Sequence, residues 1–132
     1  MKIESHYERL RESLDLINES IEKGIVERQR TIGFNTSAAS ADMLEIFLHN
    51  KNLIDPGFVI KHEWLKSKNK TSEKLSFEFP KKKEIINLMF KIEEKRNALC
   101  YGKLQEEKIV QEVINDFNKL KDILRKEGIN EI

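Results

Sequence analysis

Ile3-Glu4-Ser5-His6-Tyr7-Glu8-Arg9-Leu10-Arg11-Glu12-Ser13-Leu14-Asp15-Leu16-Ile17-Asn18-Glu19-Ser20-Ile21 sets Ile3, Tyr7, Leu10, Leu14, Ile17 and Ile21 at alternating spacings of four and three. Residues spaced so lie on one side of an α-helix, and the intervening side chains here are mostly charged. The stretch therefore reads as an amphipathic helix that must bury its stripe against other elements. Gly24 interrupts it, but Ile25, Val26 and the good helix formers that follow predict continuation towards Arg30, with Thr31-Ile32-Gly33 as the exit and Gly33 at the cap.

A second helix is expected from Asn35 or Thr36, either of which can cap exposed backbone N–H groups. Its small residues Ala38, Ala39 and Ala41 come first and Met43, Leu44, Phe47 and Leu48 later, so its start can approach a neighbouring helix closely. Asp55-Pro56-Gly57 is a turn, because Pro presets φ and Gly relieves the chain after it. Residues 58–65 suggest a short helical piece anchored by Phe58 and Trp64. Residues 66–74 contain no apolar side chain and read as an exposed loop, after which Leu75, Phe77 and Phe79 alternate as a short extended return. Pro80 fits the first turn of a third long helix bearing Ile85, Ile86, Leu88, Met89, Ile92 and Leu99 and ending near Gly102. A fourth helix, about Gln105 to Lys126, carries Ile109, Val113, Phe117, Leu120 and Leu124, with Gly128 after it. The expected fold is all-α: an antiparallel four-helix bundle over residues 1–132, a single domain, with a short extra helix and a Lys-rich loop between the second and third long helices.

Composition agrees. Sixteen Ile and thirteen Leu in 132 residues supply one core, which excludes a wholly disordered chain. Five Gly and two Pro are too few for a barrel or sandwich built on many tight turns. The single cysteine, Cys100, forms no internal disulfide or multi-cysteine zinc site. The charged first thirty residues hold no apolar leader, and no run approaches the length of a membrane span, so a cytoplasmic protein with no membrane partner is expected.

Net charge is +1, but unevenly spread: residues 61–83 hold eight Lys against three Glu. Lys81-Lys82-Lys83 opens the third helix, where the helix dipole disfavours cations; solvent accommodates them, or an anion such as nucleic acid does. Phe58, Trp64, Phe77 and Phe79 interleave with lysines, and are expected to anchor the connection to the bundle rather than to stack on bases.

The third helix ends Glu93-Glu94-Lys95-Arg96-Asn97-Ala98-Leu99-Cys100-Tyr101-Gly102. Helical spacing sets Arg96 with Cys100 on one face and Asn97 with Tyr101 on the next. Arg offers a permanent charge with fixed donors suited to phosphate, Asn a donor and an acceptor, Tyr a hydroxyl. The plainer alternative is a helix C-terminus at which a cation favours the dipole. Cys100, at such a terminus, is expected to be small, buried and unreactive.

Arg96-Asn97 followed by Gly102, before an acidic start to the last helix, resembles the HEPN superfamily of small helical bundles; Gly33-Phe34-Asn35-Thr36-Ser37-Ala38-Ala39 leading to Leu44 and Leu48 is similar to the second helix of such proteins. The resemblance implies a metal-independent endoribonuclease in many members, protomers paired so that two Arg-led motifs share a cleft, and in some a small nucleotidyltransferase partner of a toxin–antitoxin or defence system. It carries Arg96, Asn97 and, in place of the usual His, Tyr101 as the catalytic positions; the charge reading, independently of it, offers Lys81, Lys82, Lys83 and Lys103 as nucleic-acid contacts. Unperturbed Tyr titrates near ~10 and His near ~6.5, so Tyr101 is a poor base at neutral pH. The expected function is RNA or nucleotide binding by a homodimer with little or no cleavage; the alternative is a non-catalytic interaction module that dimerises or docks a nucleotidyltransferase.

His6, His49 and His62 are not spaced as paired metal ligands on one helix, and each is expected to be exposed or capping. His49, near a helix end and at a distance from Arg96 that the sequence leaves open, is the candidate stand-in for the missing imidazole. Neither metal nor cofactor is expected.

Overall fold

A computed structural model describes residues 1–129 and 132. Among them the chain is all-helical: α1 (Ile3–Lys23), α2 (Gln29–Asn50), a 3-10 turn (His62–Lys66), α3 (Lys68–Lys74), α4 (Lys82–Tyr101) and α5 (Glu107–Lys126). α2 is the central element and packs on α1, α4 and α5, while α4 also packs on α5. None of the described helices is long and apolar enough to cross a membrane.

The α5 stripe buries as its period requires, whereas the buried face of α1 is turned from the expected stripe and runs through His6, Leu10, Ser13, Ile17 and Ser20, with Tyr7 and Leu14 half-buried beside it. Leu10 and Ile17 of α1 enter the core, as do Val110, Val113, Phe117, Leu120 and Leu124 of α5. Ile21, at the end of the α1 stripe, stays exposed. After α5 the chain closes in a Schellman arrangement: Ile129 N donates to Leu124 O at 3.1 Å and Gly128 N to Arg125 O at 3.1 Å, with Gly128 at φ 116°.

The first boundary differs from expectation. α1 stops at Lys23 because Gly24 takes φ 123°, and α2 begins at Gln29, so Thr31-Ile32-Gly33 lies inside α2 rather than between helices. Gly33 has a packing role instead: a β-carbon there would stand 2.9 Å from Cys100 Sγ and 3.0 Å from Leu99 Cβ. Glycine at this position lets α2 and α4 approach closely, one turn before the alanines expected to do so.

The Lys-rich segment is also corrected. Lys68–Lys74 is helical, not an open loop. Ser67 caps it by accepting from Lys70 N at 3.3 Å, and the buried Thr71 hydroxyl donates to Trp64 O at 2.6 Å. The polar composition hid this helix because its anchor is a threonine hydroxyl and not an apolar stripe. The helical piece expected over 58–65 shrinks to the 3-10 turn at His62–Lys66. Pro80 precedes α4 rather than entering its first turn: Lys82 N donates to Phe79 O at 3.2 Å, closing a turn in which Lys81 adopts φ 62°.

The aromatics pin the connection to the core. Phe58 lies 5.7 Å from Trp64 and 6.3 Å from Phe77, and Phe79 lies 6.0 Å from Phe47 of α2, centroid to centroid. The N-terminal ammonium donates to Pro56 O, tying the start of α1 to the same connection.

Candidate functional site

The last two turns of α4 lie against the first turns of α2. Arg30 Nε donates to Cys100 O at 3.0 Å, occupying a carbonyl that the helix end leaves open. Gln29 exchanges hydrogen bonds with Gln105, accepting from its N–H at 2.8 Å and donating to its carbonyl at 3.2 Å, which fixes the α4–α5 connection. Cys100 is buried, and burial pushes its thiol above the usual value.

On this frame Phe34 links two of the residues singled out by sequence. The Arg96 guanidinium sits over its ring at 5.4 Å, and Tyr101 meets it edge-on at 5.8 Å. Tyr101 is 64% exposed. Asn97 is exposed and lines a cleft of about 620 Å³ between α4 and the 3-10 turn with its following residues. Lys66, Lys68 and Lys91 line it too, with Asn87, Phe90 and Glu93.

Beneath this cleft is a polar cluster that the histidine spacings did not disclose. Glu93 is buried, and its Oε2 accepts from Ser37 Oγ at 2.8 Å and from His62 Nδ1 at 3.0 Å. Arg96 Nη1 is 3.5 Å from Glu93 Oε1. Burial alone would raise the Glu93 carboxyl, but the hydrogen bonds from His62 and Ser37, with the nearby His62 and Arg96 charges, outweigh it and hold the group below the ordinary carboxylate value. The Glu93 carboxylate keeps a proton on His62 Nδ1, leaving Nε2 as the ring's other functional atom. His62, rather than His49, is thus the imidazole joined to Arg96 through a shared carboxylate.

The four lysines offered as nucleic-acid contacts are differently engaged. Lys82 is half-buried, donates to Phe77 O at 2.9 Å and lies over Phe79. Lys81 is 3.9 Å from Glu84. Lys83 and Lys103 are exposed.

His6 corrects the expectation of exposed or capping histidines. It is 2% exposed, and its Nδ1 lies 2.8 Å from Asp42 Oδ1 and 3.6 Å from Glu45 Oε2. His49, half-buried near the end of α2, has its ring 5.9 Å from that of His6. Burial lowers the His49 pKa, with the His6 charge adding to the effect. Glu45 Oε1 accepts from Ile60 N at 3.1 Å, and burial raises the Glu45 carboxyl. One signal for this cluster was present in the sequence: Asp42, Glu45 and His49 follow one another at spacings of three and four, hence on one helix face.

The chain matches no protein-family model, no curated protein and no solved structure.

Proposed function

We propose that this chain is a HEPN-like protein, its four long helices forming an antiparallel bundle, that binds RNA or a nucleotide at the α4 end. The observation that carries the reading is that Asn97, the residue after Arg96, lines a cleft whose three lysines, Lys66, Lys68 and Lys91, stand with Glu93 and Glu94. Arg96 contacts a phosphate, Asn97 positions it and Tyr101 donates a hydrogen bond. Lys83 and Lys103 add sequence-independent attraction, while Lys81 and Lys82 contribute less because of their intramolecular partners. Phe90, half-buried at the cleft, supplies an apolar face against which a base can lie. Cleavage is weak or absent because Tyr101 stands where the family has His. The working protein is a cytoplasmic homodimer of a toxin–antitoxin or defence system.

The test is binding of a fluorescent single-stranded RNA at low and high salt, with a cleavage time course in excess chelator. Native protein is expected to bind with an affinity that falls steeply with salt, and Arg96→Ala to lose most of it. Unchanged low-salt binding in Arg96→Ala overturns the site. A gain of cleavage in Tyr101→His marks a decayed nuclease, whereas native cleavage abolished by His62→Ala gives the catalytic role to His62.

Exposure of Tyr101 and Leu104 at the same end, 64% and 73%, favours a second reading. In it this end docks a second copy or a small nucleotidyltransferase. Stoichiometric co-purification of such a partner, without RNA retained at physiological salt, selects it.

A further inference from the structure

The α1–α2 interface holds a second constellation, separate from the residues assigned to RNA. His6, Asp42 and Glu45 are all buried, and each presents one donor atom such that the three lie within 4.8 Å of one another. Two carboxylates and one imidazole are an unusual thing to bury between helices, because ionised groups are costly away from water unless each is compensated. Compensation here is incomplete: Asp42 Oδ2 and His6 Nε2 are buried without a hydrogen-bond partner, as is His49 Nε2 beside them. The cations at the rim compensate only in part, none of them hydrogen-bonding Asp42 Oδ2. Arg9 Nε stands 3.8 Å from Asp42 Oδ2 with its side chain 57% exposed, and the N-terminal ammonium donates to Pro56 O.

We infer that His6, Asp42 and Glu45 form a binding site for a divalent first-row transition-metal ion. Donors set tetrahedrally around a zinc ion at its usual ~2.0–2.2 Å bond lengths stand about 3.3–3.6 Å from each other. The His6 Nδ1–Glu45 Oε2 separation of 3.6 Å matches that spacing, while the 2.8 Å from His6 Nδ1 to Asp42 Oδ1 is a hydrogen bond that lengthens slightly when the ion replaces its proton. One neutral imidazole with two carboxylates balances a dication. A mixed nitrogen and oxygen set suits zinc, cobalt, iron or manganese more than calcium, which takes oxygen alone.

The site is structural in its consequence. Glu45 also accepts from Ile60 N, two residues before His62, so an ion held by Glu45 would fasten α1, α2 and the segment entering the 3-10 turn at one point. This holds whether or not the α4 end binds RNA.

The experiment uses the full chain, stripped with chelator and then titrated with Zn2+ by calorimetry and with Co2+ by visible absorption. Expected are one saturable site per chain and a higher unfolding temperature with Zn2+ that chelator reverses. Asp42→Asn and Glu45→Gln, close in shape to the native residues, are each expected to weaken binding by about tenfold or more. Absence of a saturable site in the native protein, or affinity unchanged in both variants, overturns the inference. Should the variants fail to fold, histidine ring 15N shifts of the native protein during Zn2+ titration decide it: movement of the His6 signals supports the site, and movement of His62 alone overturns it.

Discussion

Gly33 of α2 and Cys100 of α4 touch across the helix crossing so closely that a β-carbon on Gly33 would stand 2.9 Å from the Cys100 sulfur. The same β-carbon would be 3.0 Å from Leu99 Cβ, which belongs to a buried, backbone-proximal group with little room to move. Gly33→Ala is expected to destabilise the fold by about 1–3 kcal/mol, the usual range for overpacking, despite alanine's better helix propensity. Chemical denaturation of both proteins reads this directly. Adding Cys100→Ala should restore part of the loss, since it removes one of the two clashes. A Gly33→Ala protein as stable as the native one would show that α2 and α4 can separate at no cost.

The Cys100 thiol should be nearly inert in the folded protein. It is buried, its pKa is raised by that burial, and its Sγ lies 3.6 Å from the Arg30 carbonyl oxygen as a weak donor. Alkylation at mildly alkaline pH is expected to proceed only as fast as the protein opens, and to accelerate by orders of magnitude in denaturant. Fast stoichiometric labelling of the native protein would contradict the packing of α4 on α2.

Glu93 makes stability pH-dependent on the acid side. Its carboxyl is held below the ordinary value of 4.5 in the fold, so the unfolded chain takes up a proton first as pH falls. The contribution is complete above the ordinary carboxylate value and is lost progressively as pH drops through the lowered one. Glu93→Gln should therefore lower stability at neutral pH by roughly 1–3 kcal/mol, the scale of hydrogen bonds to a charged group, and flatten the acid limb. Denaturant midpoints between about pH 3 and 7 test both parts. An acid limb as steep in Glu93→Gln as in the native chain would place the titration on other carboxyls.

Thr71 holds α3 onto the 3-10 turn through its donation to Trp64 O at 2.6 Å and to Ser67 O at 3.0 Å. Thr71→Val keeps the shape and deletes the donor, leaving the Trp64 carbonyl without it. The cost is expected to be about 1–2 kcal/mol and local, seen as faster hydrogen exchange across residues 67–75 with α2 and α5 unaffected. Slower or unchanged exchange there would mean that α3 is held by other contacts.

The long helices were legible because their signal is local. Spacings of three and four among Leu10, Leu14 and Ile17, or among Val113, Phe117, Leu120 and Leu124, report a helix face whatever it packs against. Gly102 and Gly128 marked helix ends for the same reason, and Arg96 and Asn97 stood out as polar residues in the final turns of an apolar helix. What Gly24 and Gly33 do could not be separated by composition, since both are glycines near a helix end; a positive φ at one and a crossing at the other decided it. Thr71 anchors a helix with no apolar stripe, so no periodicity could announce α3.

The histidines mark the same division. Sequence alone determined that the chain would bury several amphipathic stripes in one helical core, because that follows from residues a turn apart. That His6 meets Asp42 across 36 positions and Ser37 meets Glu93 across 56 follows from where whole helices cross, which no local pattern encodes. Side-chain chemistry was written in the sequence, and its partners were chosen by packing.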